Sequence, residues 1–217
     1  HRVDRRQRQM CIRDSNGASG GTTASAFPDD TLNGVSFADA DVTPTITAEG
    51  GLTGVTIGTD GTLDVPAGTP AGTYTVGYQI CEVLNPLNCD PATAIIVISA
   101  ATIDANDNDF TATPANGADG GTTPSVFPDD TLNGAAFADG DVIATIVADG
   151  GISGISINAD GTLAVPAGTA AGTYTIGYEI CEALNPSNCD PATATIIINP
   201  PAVSYTHLRA HETGRNL

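Results

Sequence analysis

Eight residues near the middle of the chain, "IDANDNDF" (Ile103–Phe110), hold three aspartates and two asparagines. Such side chains, so closely spaced, are oxygen ligands for a hard cation such as Ca²⁺, which takes about six to eight carboxylate, amide and carbonyl oxygens. The same residues also make an ordinary solvated acidic linker, and only what lies beside them separates the two readings. A second chemistry belongs to four cysteines. Cys81 and Cys89 enclose "EVLNPLN", and Cys181 and Cys189 enclose "EALNPSN". Two cysteines closing a proline-containing hairpin loop, twice over, point to local disulfides. A zinc site needs about four ligands at tighter spacing, and no histidine is near. Free thiols of a cytosolic protein are the alternative; disulfides place the chain outside the reducing cytoplasm.

Other chemistries are excluded by what is missing. Every arginine (Arg2, Arg5, Arg6, Arg8, Arg13, Arg209 and Arg215) and every histidine (His1, His207 and His211) lies in the two ends, as do Met10 and the odd cysteine, Cys11, and the chain has no lysine. Between Asn16 and Pro200 there are 22 acidic residues and no basic side chain. No Ser-His or Cys-His nucleophile can be assembled there, nor a Lys–Asn crosslink. Paired carboxylates that cleave glycosides need a cleft with stacking aromatics. There is no Trp, and Phe27/Phe127, Phe37/Phe137, Tyr74/Tyr174 and Tyr78/Tyr178 recur at matched positions, as core residues do. The middle is therefore read as non-enzymatic. Its charge repels nucleic acid and anionic membrane surfaces, and no apolar run approaches the ~20 residues that span a bilayer.

The elements that position these residues come in duplicate. "NGASGGTTASAFPDDTLNG" from Asn16 returns as "NGADGGTTPSVFPDDTLNG" from Asn116, and more than two thirds of positions 16–100 repeat the residue found 100 places later. A gap-free repeat of this length is one folding unit used twice. Each unit alternates Thr, Val and Ile with small or polar residues, punctuated by Gly, Pro, Asn and Asp, with no helical period. In the second unit strands are expected at 109–113, 122–127, 142–148, 154–157, 162–165, 173–182 and 192–198, with a hairpin turn at "NADGT". Seven short strands in about 100 residues fit a β-sandwich. The expectation is an all-β chain of two tandem immunoglobulin-like sandwiches, repeat 1 over 16–102 and repeat 2 over 103–200. Residues 1–15 and 201–217 are set apart by composition. They resemble translated sequencing-adapter read-through, foreign to the protein, with a genuine basic arm as the rival reading. The counterpart of the second unit's first strand would fall at positions 3–15, so the first unit is expected to lack that strand and to expose a sheet edge.

"AGTYTV" and "AGTYTI" resemble the start of the sixth strand of immunoglobulin-type sandwiches, where a tyrosine folds back onto the preceding loop. Tyr74 and Tyr174 either take that place or are simply core residues. The larger pattern, "SVFPDDTLNG" followed by "NADGTLAVPAGTAAGTYTIGYEICEALNPSNCDPATATIII", resembles the tandem immunoglobulin-like and cadherin-like repeats of bacterial, Bacteroidetes-type secreted surface proteins and adhesins. That resemblance implies an extracellular stalk or extender of an adhesin or fibre, whose partners are neighbouring repeats and an unknown surface or glycan ligand. The alternative is a carbohydrate- or surface-binding module, which needs exposed aromatics or a flat threonine array.

Within the same resemblance, Asp104-Ala105-Asn106-Asp107-Asn108 is similar to the D-x-N-D-N linker with which cadherins hold calcium. Strand counting adds partners. If the second unit's first strand leaves the linker and the next returns, the loop "PDDTLNG" lies back beside it. Asp129 and Asp130 then approach Asp104, Asn106, Asp107 and Asp109, with Glu182 at the same end and the loop after Asp64 opposite. This set is the candidate calcium site; a solvated linker remains the other reading.

Overall fold

The computed structural model describes residues 17–201 in full and the backbone of residues 8–12. The expected free thiol of Cys11 and the remainder of both flanks lie outside the described residues. Unit 1 holds β1 (Arg8–Ile12), β2 (Gly21–Thr22), β3 (Val42–Ala48), β4 (Thr56–Ile57), β5 (Leu63–Val65), β6 (Gly72–Glu82) and β7 (Asn85–Ile98). Unit 2 holds β8 (Ile103–Asp104), β9 (Asn108–Asp109), β10 (Ala115–Asn116), β11 (Gly121–Ser125), β12 (Thr131–Leu132), β13 (Val142–Ala148), β14 (Ser156–Ile157), β15 (Thr162–Val165), β16 (Gly172–Glu182) and β17 (Asn185–Asn199). The chain is all-β, as two tandem β-sandwiches.

Each unit packs a large sheet on a small one. The orders are β1-β7-β6-β3 over β2-β5-β4 in unit 1, and β10-β17-β16-β13, with β9 also on β17, over β11-β15-β14 in unit 2. The period-2 alternation decides which residues meet between the sheets. Val76, Tyr78 and Ile80 of β6 and Ala94, Ile96 and Ile98 of β7 face Leu63 and Val65 of β5. Their counterparts Ile176, Tyr178, Ile180, Ala194, Ile196, Ile198, Leu163 and Val165 make the core of unit 2. Phe27 meets Phe37 edge-on at 5.6 Å, and Phe127 meets Phe137 at 5.4 Å. Gly61 and Gly161 stand at φ +78° under those phenylalanines, in the turns that begin β5 and β15. The Tyr74 and Tyr174 hydroxyls donate to the Pro70 and Ala170 carbonyls, four residues upstream, at 2.8 and 2.9 Å. That is the folded-back tyrosine arrangement rather than plain core packing.

Besides the strand expected at 109–113, of which only Asn108–Asp109 forms before the chain turns at 111–112, two features depart from the sequence expectation. β17 starts at Asn185, not near 192, because the cysteine-flanked segment continues the ladder. Cys181 faces Cys189, the next pair is Glu182 with Asn185, and Pro186–Asn188 bulge out between them. Unit 1 has the same arrangement around Cys81 and Cys89. The other departure concerns the edge expected to be vacant. β1 pairs parallel with β7, Arg8 opposite Ala94, as Asn108 of β9 lies opposite Ala194. The two registers are 100 residues apart, so β1 takes the place that β9 has in unit 2.

Candidate functional site

The stretch from Ala101 to Asp109 leaves unit 1 and runs directly onto unit 2. Glu182 Oε2 accepts the Ala101 amide at 3.1 Å, and Asn188 Nδ2 donates to the Ala101 carbonyl at 2.8 Å. Asn133 stands in the left-handed region (φ 54°), where an Asn is tolerated. From there its backbone amide donates to the Thr102 carbonyl at 2.7 Å and its Oδ1 accepts the Thr102 amide at 2.9 Å. β8 then pairs with β12, Asp104 opposite Thr131. The Ala105 amide donates to Asp190 Oδ2 at 2.8 Å and the Asn106 amide to Asp130 Oδ1 at 2.7 Å. The Tyr178 hydroxyl donates to the Asn106 carbonyl at 2.9 Å and accepts from Asn108 Nδ2 at 3.0 Å. Consecutive backbone groups are thus held by unit 2, and the linker is docked rather than a free tether.

Glu182 is set up by the bulge. It lies at the end of β16, 1% exposed, and Asn188, projecting from the three bulged residues, also donates to its Oε2 at 3.0 Å. A bulge re-aims side chains in this way, and the Cys181–Cys189 disulfide closes it; Cys81–Cys89 closes the other. From unit 1 the loop after β5 completes the joint at the hairpin: the Ala71 amide donates to Asn185 Oδ1 at 2.6 Å. A cleft of about 600 Å³ separates Ala18, Ser19 and Gly68 of unit 1 from Leu132, Phe137 and Leu184 of unit 2.

The candidate calcium ligands divide into two groups. Asp130 is 2% exposed, with Oδ1 on the Asn106 amide and Oδ2 buried without a partner. Burial, reinforced by the charges of Asp129, Asp104 and Asp190, pushes its carboxyl up to about 6. Asn106 belongs to this group through its amide and through Nδ2, which donates to the Asp129 carbonyl at 2.7 Å. Asp107 and Asp109 do not. Asp107 Oδ1 accepts the Thr193 amide and hydroxyl at 2.7 and 2.9 Å, and Asp109 Oδ1 accepts the Thr111 amide at 2.9 Å. The Thr111 hydrogen bonds hold the Asp109 carboxyl below its ordinary value. Asp64, in the strand before the unit 1 loop, accepts from the Thr22 hydroxyl at 2.7 Å.

Sequence reasoning missed Asp190, Asn188, Asn133 and Tyr178. Their signals were present: Asp190 follows the second cysteine, so a strand continuing through the "loop" turns it toward the linker end. Among the described residues, the one group of three Cys, Asp or Glu side chains whose ligand atoms converge within 4.8 Å is Glu179, Cys181 and Cys189. Both sulfurs there are already bonded to each other.

No protein-family profile matches the chain, and no curated protein matches it. Among solved structures it is similar to mouse cadherin-23 EC22-24 (10% identity, TM-score 0.37), covering 91% of this chain and 63% of that one. It is also similar to chicken VE-cadherin EC1-2 (16%, TM-score 0.34, 90% of this chain and 100% of that one). The human desmocollin-1 ectodomain matches over 91% of this chain and 41% of its own length (10%, TM-score 0.37). Likeness at this level carries no inference about function.

Proposed function

We propose that the chain is a non-enzymatic, extracellular extender segment, two repeat units of a bacterial surface adhesin or fibre. The observation that supports this reading most is the built joint. Glu182, Asn188 and Asn133 clamp Ala101 and Thr102, so one unit is set against the next by specific hydrogen bonds. An extender transmits position along its length, and that requires joints which resist bending. Two local disulfides agree with an oxidising location. The bacterial assignment rests on the residue patterns of the repeats. The test is small-angle scattering on the whole chain and on Glu182→Ala/Asn188→Ala. One maximum dimension is expected for the parent and a broadened distribution for the variant, with unchanged circular dichroism. A parent already as broad as the variant overturns the reading.

The glycan- or surface-binding alternative finds less support. No aromatic among the described residues is exposed. The outward threonines of β16 and β17 make one facing pair, Thr175 with Thr195, but no extended array, because Thr173 lies opposite Ile197, Gly177 opposite Thr193 and Glu179 opposite Pro191.

A second reading has its own observation. The buried, unpartnered Asp130 Oδ2, in a field of carboxylates with no Lys, Arg or His anywhere in residues 17–201, fits a divalent cation. Asp130 Oδ2 would be its anchor, with Asp129, Asp104 and Asp190 supplying the surrounding negative charge, although their carboxylates do not converge on one point in this structure. A bound Ca²⁺ would neutralise these carboxylates and stiffen the joint. Calorimetric titration tests this: heat that disappears in Asp130→Asn and persists in Asp109→Asn is expected. No heat with millimolar Ca²⁺ leaves the joint to its hydrogen bonds alone.

A further inference from the structure

The hairpin that receives the linker in unit 2 exists twice. In unit 1 the same tip is formed by Glu82–Cys89, and it carries the same working parts. Asn88 Nδ2 donates to Glu82 Oε2 at 3.0 Å, the distance found between Asn188 and Glu182. The Val83 and Ala183 amides both donate to the carbonyl of the acidic turn beneath, Asp41 or Asp141, at 2.9 Å. Hydrogen bonds from Asn88 and Asn85 hold the Glu82 carboxyl below its ordinary value. Among the described residues, what differs is cover. Glu182 is buried under Ala101, and Leu184 lines the inter-unit cleft. Leu84 is 86% exposed and Leu87 fully exposed, with Val83 and Val35 also open. Three of the four are the larger members of their pairs, since unit 2 has Ser187, Ala183 and Ala135 at the places of Leu87, Val83 and Val35, while Leu84 is matched by Leu184. A cluster of exposed aliphatic side chains around a preformed acceptor is unusual on a solvated domain end.

We infer that this end of unit 1 is a docking face for the linker end of a further unit of the same repeat, preceding it in a longer chain. The proposal rests on the extender reading and names the surface that continues it. The occupant is identified by what covers unit 2: a backbone amide for the glutamate, a backbone carbonyl for Asn88, and a small-residue surface such as Ala18, Gly68 and Ala71 against the leucines. A second copy of this chain does not offer it. At the far end of unit 2, Pro201 stands where Ala101 does and has no N–H to donate, and Asp119 stands where Ser19 does and adds charge near Glu82.

The experiment duplicates residues 16–115 in tandem within the full chain, which places a unit with its Ala101 linker ahead of a Glu82 hairpin. Hydrogen exchange of the peptide spanning residues 82–88 is then followed by mass spectrometry, with the 182–188 peptide as internal standard. The expected result is two populations of the 82–88 peptide in equal amounts, one slowed about tenfold or more, and their merging when Leu84→Asp and Leu87→Asp are placed in the second copy. A single, fast population overturns the docking face. If the 182–188 peptide stays protected in that case, the extender reading survives the loss. A concentration-dependent dimer of the original chain with the 82–88 peptide protected assigns the face to a second copy and also overturns the proposal.

Discussion

Asp130 shows how a single side chain can make stability depend on pH in an unusual direction. Most native carboxylates gain stability on ionising, but burial beside Asp129, Asp104 and Asp190 raises this one to about 6. Between the unfolded value near 4 and that folded value, the folded chain binds the proton more tightly. Stability from this group is therefore present below about pH 4 and is lost as pH rises through 6. The ionised form costs about 3 kcal/mol at neutral pH. Asp130→Asn keeps an oxygen for the Asn106 amide and removes the charge. It should match the parent at pH 4 and exceed it by about 1–2 kcal/mol at pH 7.5 in denaturant unfolding. An equal difference at both pH values would show that the group is not raised. At this scale the sequence was half legible. The acidic stretch and its return loop were found because a strand pair must bring residues 104 and 130 together. Asp107 and Asp109 have other partners in the fold: Asp107 just before β9 caps Thr193 of β17, and Asp109 accepts the amide two residues on, a local turn contact that spacing alone does not reveal.

The cysteine hairpin shows the same limit for an element. Composition marked "ICE-x-x-NP-x-x-C" as a disulfide-closed loop, whereas the chain uses it as ladder, a two-residue turn and a bulge. Pro186 hid the strand, since proline argues against central pairing; here it sits in the bulge, where no ladder hydrogen bond is asked of it. Breaking either disulfide should cost about 2–3 kcal/mol by the loop-entropy estimate, because both rings have the same sequence separation. The consequences for the joint should differ. Cys181→Ser/Cys189→Ser frees the bulge that aims Asn188 at Ala101, so exchange of the Ala101 amide should quicken about tenfold or more relative to global unfolding. Cys81→Ser/Cys89→Ser should leave that amide as it is. Equal behaviour of the two variants would mean that the bulge is held by its neighbours and not by sulfur. Strand edges were harder to read than strand existence. The core positions of β13 and β15 stand out by period, but nothing in "RRQRQMCIRDS" announces a strand, and β1 pairs there through backbone groups that any sequence carries.

The whole molecule carries its charge without internal relief. Residues 17–201 contain 22 acidic side chains and no basic one, so every charge pair among them is repulsive. A fold with so little compensation persists because its stabilising terms are uncharged: two sandwich cores, backbone ladders and two disulfides. Repulsion between surface carboxylates extends over about one Debye length, roughly 30 Å at 0.01 M salt and about 8 Å at physiological strength. Within one unit at low salt, the acidic groups therefore sense one another across the full width of the sandwich. Screening removes much of that cost in the folded state and less in the expanded unfolded chain, where the same charges are farther apart. Raising NaCl from about 0.01 to 0.5 M should lift the melting temperature by several degrees, with most of the gain at the low end. For domains of this size a shift of about 4–8 °C corresponds to about 1 kcal/mol. The duplicated units make the measurement informative about the joint as well. A screening effect acts on both alike, whereas Ca²⁺ at matched ionic strength adds a further rise only through a specific site, and only while Asp130 is ionised. A melting temperature indifferent to NaCl would mean that the folded chain feels its own charge no more than the unfolded one does.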